Sequence, residues 1–261
     1  MAAFDTDYLI IGSGFGGSVS ALRLAQKGYR VLVVEQGRRF APRDMRESTR
    51  NLRRFLWLPA LFCRGFFALR LFRHMLVLPG NAVGGGSVVY ANTLLVPPEK
   101  VWRSGTWALL RDWAAEMPEH YRTAEKMLGV TTNPLLADAD YMLKKLADEA
   151  GVGGSFYRTR VAVYFGADDE HAQPQQQGDP YFAGKGPARA PCIGCGGCMV
   201  GCRHRAKNSL DYNYLYLAEK LGAKVLAESR VSRIEPLDKQ DKGRTGWRIT
   251  VKPFRRPEQH F

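Results

Sequence analysis

A glycine-rich loop that directly follows a short apolar run constrains the fold of this chain more than any other feature. Residues 8–11 read Tyr-Leu-Ile-Ile, which is the length of a buried parallel strand. Glycines follow at positions 12, 14 and 17. Gly12 allows a tight turn, Gly14 lets the backbone approach a pyrophosphate, and Gly17 lets the next helix pack against the strand. The pattern predicts the first strand, loop and helix of a Rossmann-like α/β fold.

The residues after the loop complete this unit. A helix is predicted over residues 16–27, where Gly28 is a natural stop, and a second apolar strand over residues 31–34. The helix amino terminus would direct its unpaired N–H groups at phosphates. Glu35 follows the second strand, where a carboxylate accepts hydrogen bonds from ribose hydroxyls and repels the 2′-phosphate of NADP. These residues predict a dinucleotide site.

A second glycine-rich loop indicates which dinucleotide is bound. Residues 81–92 read Asn-Ala-Val-Gly-Gly-Gly-Ser-Val-Val-Tyr-Ala-Asn. Three successive glycines permit positive φ angles and a close approach of the backbone to a flat or anionic group. An NAD site rarely needs a second loop of this kind so early in the chain, whereas a flavin with its own pyrophosphate and ring does. The second loop therefore favours FAD.

At these residues the chain resembles the glucose–methanol–choline (GMC) oxidoreductases, and in particular their cholesterol-oxidase-like branch. The resemblance covers residues 7–37, the Val-Gly-Gly-Gly-Ser run at 83–87, residues 179–182, the cysteine run that extends to Asn208, and residues 213–219. One difference is that Tyr90 and Ala91 stand where the best-known members of the branch have asparagine and glycine. The resemblance implies that the flavin edge is lined differently here.

The resemblance, together with the glycine loops, implies a set of FAD-contacting residues. Asn92 is the polar candidate near the flavin ring, and Val231 would touch the adenine through its backbone. The complete predicted set is Gly12, Ser13, Gly14, Phe15, Gly16, Gly17, Glu35, Gly84, Gly86, Ser87, Tyr90, Asn92 and Val231.

The domain prediction follows the same resemblance. The fold class is α/β, a Rossmann-like FAD-binding domain with an inserted, mainly helical substrate-side segment, incomplete at the carboxyl terminus. We expect the first part of the FAD-binding domain over residues 1–98, the inserted segment over 99–190, and the cysteine run with the return to the domain over 191–261. In GMC enzymes the catalytic histidine and its partner lie farther along the chain. We therefore expect a fragment, and no catalytic residue is assigned.

Residues 51–78 are apolar and rich in arginine. Phe55, Leu58, Phe62, Phe66, Leu69 and Phe72 recur at spacings of three and four, which predicts one helical face interrupted by Pro59 and Gly65. The formal net charge of the chain is +13, and residues 36–73 contain ten arginines against Asp44 and Glu47. The segment is either a peripheral membrane contact or a helix packed on the protein, within a solvated basic surface. No nucleic-acid-binding module accompanies it, so we expect no nucleic-acid partner.

Four cysteines form a compact run. Cys192, Cys195, Cys198 and Cys202 have the spacing C-x2-C-x2-C-x3-C, which matches a bacterial ferredoxin run. Arg203 stands where proline is usual, and one cluster would need a ligand from elsewhere, for which Cys63 is the spare cysteine. A 4Fe-4S cluster, a zinc site and a structural or redox-active turn of thiols all stay open.

The function implied by the resemblance is oxidation of the CH–OH group of an alcohol, with a sterol as the favoured small-molecule substrate. Two alternatives stay open: an FAD and iron–sulfur module that transfers electrons or binds a ligand, and an inactive fragment that retains the fold. The sequence has no secretion signal and no window long enough to span a membrane. We expect a cytoplasmic location, with membrane association as a further possibility, and make no prediction of oligomeric state.

Overall fold

A computed structural model describes residues 5–48, 51–166, 178–240, 242–254 and 257–261 of the chain. Its α-helices are α1 (Phe15–Gln26), α2 (Pro42–Ser48), α3 (Leu52–Phe55), α4 (Glu99–Trp102), α5 (Trp113–Met127), α6 (Asp138–Glu149) and α7 (Tyr214–Lys220). Its strands are β1 (Tyr8–Ile11), β2 (Val31–Val34), β3 (Leu56–Leu58), β4 (Cys63–Arg64), β5 (Phe67–Ala68), β6 (Arg70–Leu71), β7 (Leu76–Val77), β8 (Thr131–Thr132), β9 (Arg160–Val161), β10 (Lys224–Leu226), β11 (Ser229–Pro236), β12 (Trp247–Pro253) and β13 (Gln259–His260).

A parallel sheet with the order β1-β2-β10 forms the base of the nucleotide-type unit. Val33 in the central strand lies opposite Ile10 on one side and Val225 on the other. The apolar faces of α1 and α7 cover the sheet and form one core, which includes Ala21, Leu22, Val31, Val33, Leu210, Tyr214 and Ala218. The predicted strand, loop, helix and strand are therefore confirmed, and the fold class is α/β and Rossmann-like.

An antiparallel sheet of β11, β12 and β13 follows β10. Val231 lies opposite Val251, and Ile234 lies opposite Ile249, with an irregular register between Val231 and Arg233. β11 and β12 therefore pair along most of their length.

The prediction of a helical face over residues 51–78 is wrong. The segment contains one short α-helix, α3, and a 3₁₀ turn over Pro59–Leu61, and the rest forms short strands and turns, with Phe62 in the left-handed region at φ 58°. Pro59 lacks an N–H group for a helix interior, and a Cβ on Gly65 would meet the Phe55 carbonyl carbon at 2.1 Å. The aromatic spacing instead brings Phe66 into a buried cluster, with ring centroids 5.5 Å from Phe40 and 5.6 Å from Phe55.

The predicted helical segment over residues 99–190 contains α4, α5 and α6. A short 3₁₀ turn, Thr106–Leu109, precedes α5, whose amino terminus is capped by the Asp112 side chain accepting from the Ala115 N–H. Tryptophan rings pack here, with Trp107 centred 5.5 Å from Trp102 and 5.8 Å from Trp113. Across the described residues, no helix has both the length and the apolar character needed to cross a membrane.

Candidate functional site

The first glycine loop leaves open space beside the amino terminus of α1. Gly12 has φ +90°, and a Cβ on Gly12, Gly14 or Gly16 would meet no atom within 4 Å. Gly17 differs, because a Cβ there would lie 2.0 Å from the Gly12 carbonyl oxygen. Gly17 is therefore required for packing, and the other glycines keep the space before the helix amino terminus clear. The positive end of the helix dipole faces this space, which is the arrangement that suits a phosphate group.

Glu35 lies directly after β2 and is buried, with only 6% of its surface exposed. Its Oε2 accepts hydrogen bonds from the Ser13 N–H at 2.9 Å and from the Ser13 hydroxyl at 2.7 Å. Its Oε1 accepts from the Gly37 N–H at 2.8 Å. Because each carboxylate oxygen can accept more than one hydrogen bond, Glu35 holds the loop and keeps acceptor capacity for a hydroxyl group.

The second glycine loop packs directly on the first. Gly84 and Gly85 have φ +98° and +56°, and a Cβ on Gly85 would come within 2.8 Å of the Gly14 Cα. The Gly84 N–H donates to the Ser13 hydroxyl oxygen at 3.0 Å. The sequence predicts both loops, and the structure brings them into contact as two walls of one site.

The predicted residues differ in their exposure, and several are half-buried. Phe15, Gly16 and Gly86 are exposed at the rim, and Tyr90 packs edge to face on Phe15 with ring centroids 6.1 Å apart. Ser13 and Ser87 are fully buried. The Ser87 hydroxyl donates to the Gly84 carbonyl at 2.7 Å and accepts from the Leu210 N–H at 3.0 Å. The two serines therefore fix the loops from behind, and Phe15, Gly16 and Gly86 line the open side of the site.

Val231 and Asn92 complete the predicted set. The Ser229 N–H donates to the Glu35 carbonyl at 2.9 Å, so β11, the strand that contains Val231, begins beside the end of β2. Asn92 has a left-handed φ of 61°, and its side chain hydrogen-bonds the Cys198 thiol. A positive φ is uncommon at a residue other than glycine, although asparagine tolerates it.

Lys207 is a buried residue of the site that sequence reasoning missed. Only 1% of it is exposed, and its Nζ donates to the carbonyls of Val88 at 2.7 Å, Tyr90 at 3.1 Å and Cys198 at 2.7 Å. Burial lowers the pKa of Lys207 to about 8. One side chain thus joins the segment after the second glycine loop to the cysteine run. No local motif signals this role, because the three acceptors are backbone atoms distant in sequence.

Arg189 is a second buried cation that sequence reasoning missed. Its Nε donates to the Arg205 carbonyl at 2.7 Å, and its Nη2 donates to the carbonyls of Ala206 and Lys207, both at 2.9 Å. Its Nη1 donates to the Asn208 side chain. Burial is the main cause of the lowered pKa of Arg189. The guanidinium group therefore fixes the backbone on both sides of Lys207.

The cysteine run is not assembled as a metal site. Within residues 5–48, 51–166, 178–240, 242–254 and 257–261, no group of three or more His, Cys, Asp or Glu side chains is arranged to hold a metal ion. Cys192, Cys195, Cys198 and Cys202 are free thiols around one cavity of about 20 Å³, which has room for little more than a water molecule. Burial is the main cause of the raised pKa of both Cys192 and Cys198. The geometry gives no support to the iron–sulfur or zinc predictions.

Comparisons with known proteins agree with this architecture. Residues 10–69 match the family model described as an NAD(P)-binding Rossmann-like domain. A solved structure, pyridoxine 4-oxidase from Mesorbium loti, superposes with a TM-score of 0.55 at 16% identity, covering 97% of this chain and 47% of that chain. At that identity the likeness supports the fold alone.

Two curated relatives carry the family assignment. A cholesterol oxidase of Acinetobacter baumannii is 54% identical over 248 residues, which are 95% of this chain and 44% of the relative. An uncharacterized GMC-type oxidoreductase of Mycobacterium tuberculosis (strain CDC 1551 / Oshkosh) is 32% identical over 235 residues, 87% of this chain and 32% of the relative. This chain thus spans less than half the length of either one. It belongs to the GMC-type oxidoreductases, in their cholesterol-oxidase-like branch, and corresponds to an amino-terminal portion of such a protein.

Proposed function

We propose that this chain forms the nucleotide-binding portion of an FAD-dependent oxidoreductase that oxidises the CH–OH group of an alcohol, with a sterol as the favoured substrate class. The observation that carries the proposal is the contact between the two glycine loops at Gly14 and Gly85. A dinucleotide site built on one loop needs no second wall. Two such loops in contact suit FAD, which places a large flavin ring beside its pyrophosphate.

The residues fit FAD in charge and in space. The pyrophosphate would lie at the amino terminus of α1, where Gly12, Gly14 and Gly16 present no side chain and nothing obstructs their Cβ positions. Glu35 would accept hydrogen bonds from the ribose, since its two oxygens are held toward the loop by N–H and hydroxyl donors. The adenine would lie toward Val231 in β11, the strand that begins beside the end of β2.

FAD, when bound, supplies the acceptor for the hydride that leaves the alcohol carbon. The residues of this chain bind FAD and orient it. Phe15 and Tyr90 form an apolar wall at the rim, and Lys207 fixes the backbone of the segment that carries Tyr90 and Asn92. None of the described residues is proposed as the catalytic base. The sterol class rests on the identity to a cholesterol oxidase over most of this chain.

The test is flavin binding by the purified chain. We expect a flavin absorbance spectrum that persists through gel filtration and is lost in Gly14→Val, because the added side chain enters the phosphate space. Gly154→Val is the matched control, since a Cβ at Gly154 also meets nothing within 4 Å but lies outside the site. A wild-type chain that binds no FAD would overturn the proposal.

The substrate class is tested separately on the flavin-loaded chain. Anaerobic addition of cholesterol or of a long-chain alcohol should shift the flavin absorbance if the alcohol binds beside the ring, whether or not the flavin is then reduced. Bound FAD whose absorbance neither alcohol changes would instead favour a module that binds the cofactor without a substrate site of its own.

We also propose that the hairpin of β6 and β7 contacts an anionic membrane surface. The hairpin tip, defined as residues 71–76, exposes Leu71, Phe72, Met75 and Leu76 to solvent, and Leu71 is 81% exposed. The Phe72 N–H donates to the Met75 carbonyl at 2.9 Å, so the turn is closed. Exposed Arg70 and Arg73 flank these apolar side chains. Apolar insertion beside cations is the combination that binds anionic lipid.

A further inference from the structure

A basic cavity lies between the start of α2 and the turn that follows the cysteine run. Its volume is about 490 Å³, and Arg43, Arg203, His204 and Arg205 line it together with Ala41, Pro42 and Ala190. None of the described residues that line it carries a carboxylate. None of them belongs to either glycine loop, so this cavity is separate from the proposed dinucleotide site.

The turn that contains Arg203 and Arg205 is held by hydrogen bonds from the buried Arg189 side chain. Buried Arg189 donates its Nε to the carbonyl of Arg205 at 2.7 Å and its Nη2 to the carbonyl of Ala206 at 2.9 Å. Arg205 itself has a left-handed φ of 58°. A residue other than glycine in this region carries a conformational cost, which surrounding contacts must offset, and such residues concentrate at functional sites. The position of the Arg205 backbone is therefore set before any ligand arrives.

The opposite wall of the cavity is also fixed. The Asp44 carboxylate accepts from the Ala41 N–H at 2.9 Å and lies 3.4 Å from the Arg38 guanidinium. This carboxylate, the nearest in sequence to Arg43, is thus occupied by the first turn of α2 and by Arg38. The Arg43 side chain is exposed and lines the same cavity as Arg203.

His204 contributes a neutral imidazole to the same cavity. The Arg203 Nε lies 2.9 Å from the His204 Nε2, and donation by the guanidinium makes this nitrogen an acceptor. Burial first, and then the Arg203 charge, lower the pKa of His204. The ring proton therefore lies on Nδ1, which leaves His204 an N–H donor. The lining offers guanidinium and imidazole donors to a ligand and few acceptors.

We propose that this cavity is a binding site for a phosphate monoester. Guanidinium groups bind phosphate oxygens with paired, charge-assisted hydrogen bonds, and Arg43 and Arg203 at one space supply two positive charges for a dianion. The volume exceeds what a phosphate group alone requires and leaves room for the esterified organic group. Such an ester comes from a soluble metabolite or from a lipid headgroup, and the chemistry of recognition is the same for both.

The first experiment is calorimetric titration of the FAD-saturated chain with phenyl phosphate at constant ionic strength. Saturation with FAD keeps the ester out of the glycine loops. We expect saturable binding that weakens about tenfold or more in Arg43→Gln and in Arg203→Gln, because each loses a charge-assisted contact. Arg103→Gln removes the same charge from an exposed position outside the cavity and should bind like the wild type. Arg43 and Arg203 are exposed, so their replacement leaves the fold intact.

The second experiment distinguishes the two sources of the ester. Phosphatidylcholine vesicles with and without phosphatidic acid are sedimented with a Leu71→Ser variant, in which the hairpin tip is weakened. Sedimentation that requires phosphatidic acid and is lost in Arg203→Gln assigns the site to a lipid headgroup. Binding of phenyl phosphate, with no sedimentation that depends on phosphatidic acid, assigns it to a soluble ester. No binding of either probe, or binding that both arginine variants retain in full, would overturn the proposal.

Discussion

Ser13 donates both its backbone N–H, at 2.9 Å, and its hydroxyl, at 2.7 Å, to the same carboxylate oxygen of Glu35. The hydroxyl oxygen also accepts from the Gly84 N–H at 3.0 Å. One buried serine therefore joins the first glycine loop, the acid after β2 and the second glycine loop. The relative position of the two loops depends on this side chain.

Ser13→Ala should lower the free energy of unfolding by about 2 to 3 kcal/mol, because it removes a hydrogen bond to a buried carboxylate and leaves the Gly84 N–H without its acceptor. Urea unfolding followed by tryptophan fluorescence measures the loss. Ser20→Ala, at an exposed position of α1, is the control and should change little. Equal stability of the two variants would contradict the role assigned to Ser13.

Gly85→Ala and Gly86→Ala should have different effects on the free energy of unfolding. Gly85→Ala places a Cβ 2.8 Å from the Gly14 Cα at a φ of +56°, so we expect a loss of about 1 to 3 kcal/mol in the free energy of unfolding. Gly86→Ala meets nothing within 4 Å and should change stability by less than about 0.5 kcal/mol. It should still weaken FAD binding, because the methyl group enters the open site. Thermal unfolding with and without FAD separates the two effects.

Lys207 should give the protein a distinctive dependence on pH. Its pKa is about 8 in the folded protein and 10.5 when unperturbed, so between these values the unfolded chain binds more protons and stability rises with pH. From about pH 7.5 to 9.5 the wild type should gain about 2 kcal/mol relative to Lys207→Met. The comparison is made by urea unfolding at both pH values. A constant difference between the two proteins would show that Lys207 does not titrate in this range.

The four clustered thiols should differ in reactivity. Cys195 is exposed, whereas Cys192 and Cys198 are partly buried and have raised pKa values. At neutral pH a disulfide reagent should therefore modify Cys195 first, since the thiolate is the reactive form. The fast phase should disappear in Cys195→Ser and persist in Cys63→Ser. A fast phase that survives in Cys195→Ser would mean that a different thiol is the accessible one.

The hairpin tip should control sedimentation with anionic vesicles. Leu71→Ser and Met75→Ser should each weaken binding by about tenfold, because each removes an apolar side chain that would enter the bilayer. Leu109→Ser is the matched control, since Leu109 is 88% exposed but lies in a different part of the chain. Binding should also fall as salt is added. Failure of the wild type to sediment at low salt would remove the membrane proposal.

Local sequence signals predicted the part of the fold that local interactions build. The glycines at 12, 14 and 17 and the apolar runs beside them gave the strand, loop, helix and strand correctly, because turn chemistry and periodicity act over a few residues. The helical prediction for residues 51–78 failed for the same reason. Spacings of three and four are also compatible with aromatic residues that pack from short strands, and Phe66 does so on Phe40.

The buried cations could not be predicted from sequence. Lys207 and Arg189 bind backbone carbonyls, and every residue type carries a carbonyl, so no pattern of side chains reveals the partners. Ser13 likewise occupies a variable position within the glycine motif, and its partner Gly84 is distant along the chain. These contacts are set by tertiary structure alone. The predicted FAD contacts themselves stay predictions until the flavin experiments are done.

The central position of β2 has a consequence for how the chain is synthesised. Val33 pairs with Ile10, which is close to it in sequence. Its other partner, Val225, leaves the ribosome much later. Until then one edge of β2 is unpaired. The apolar face of α1 is also uncovered, because α7, which packs on it, is synthesised late as well. Unpaired strand edges and uncovered apolar faces are what chaperones bind and what drives aggregation. The nascent nucleotide unit therefore depends on protection throughout the synthesis of the middle of the chain.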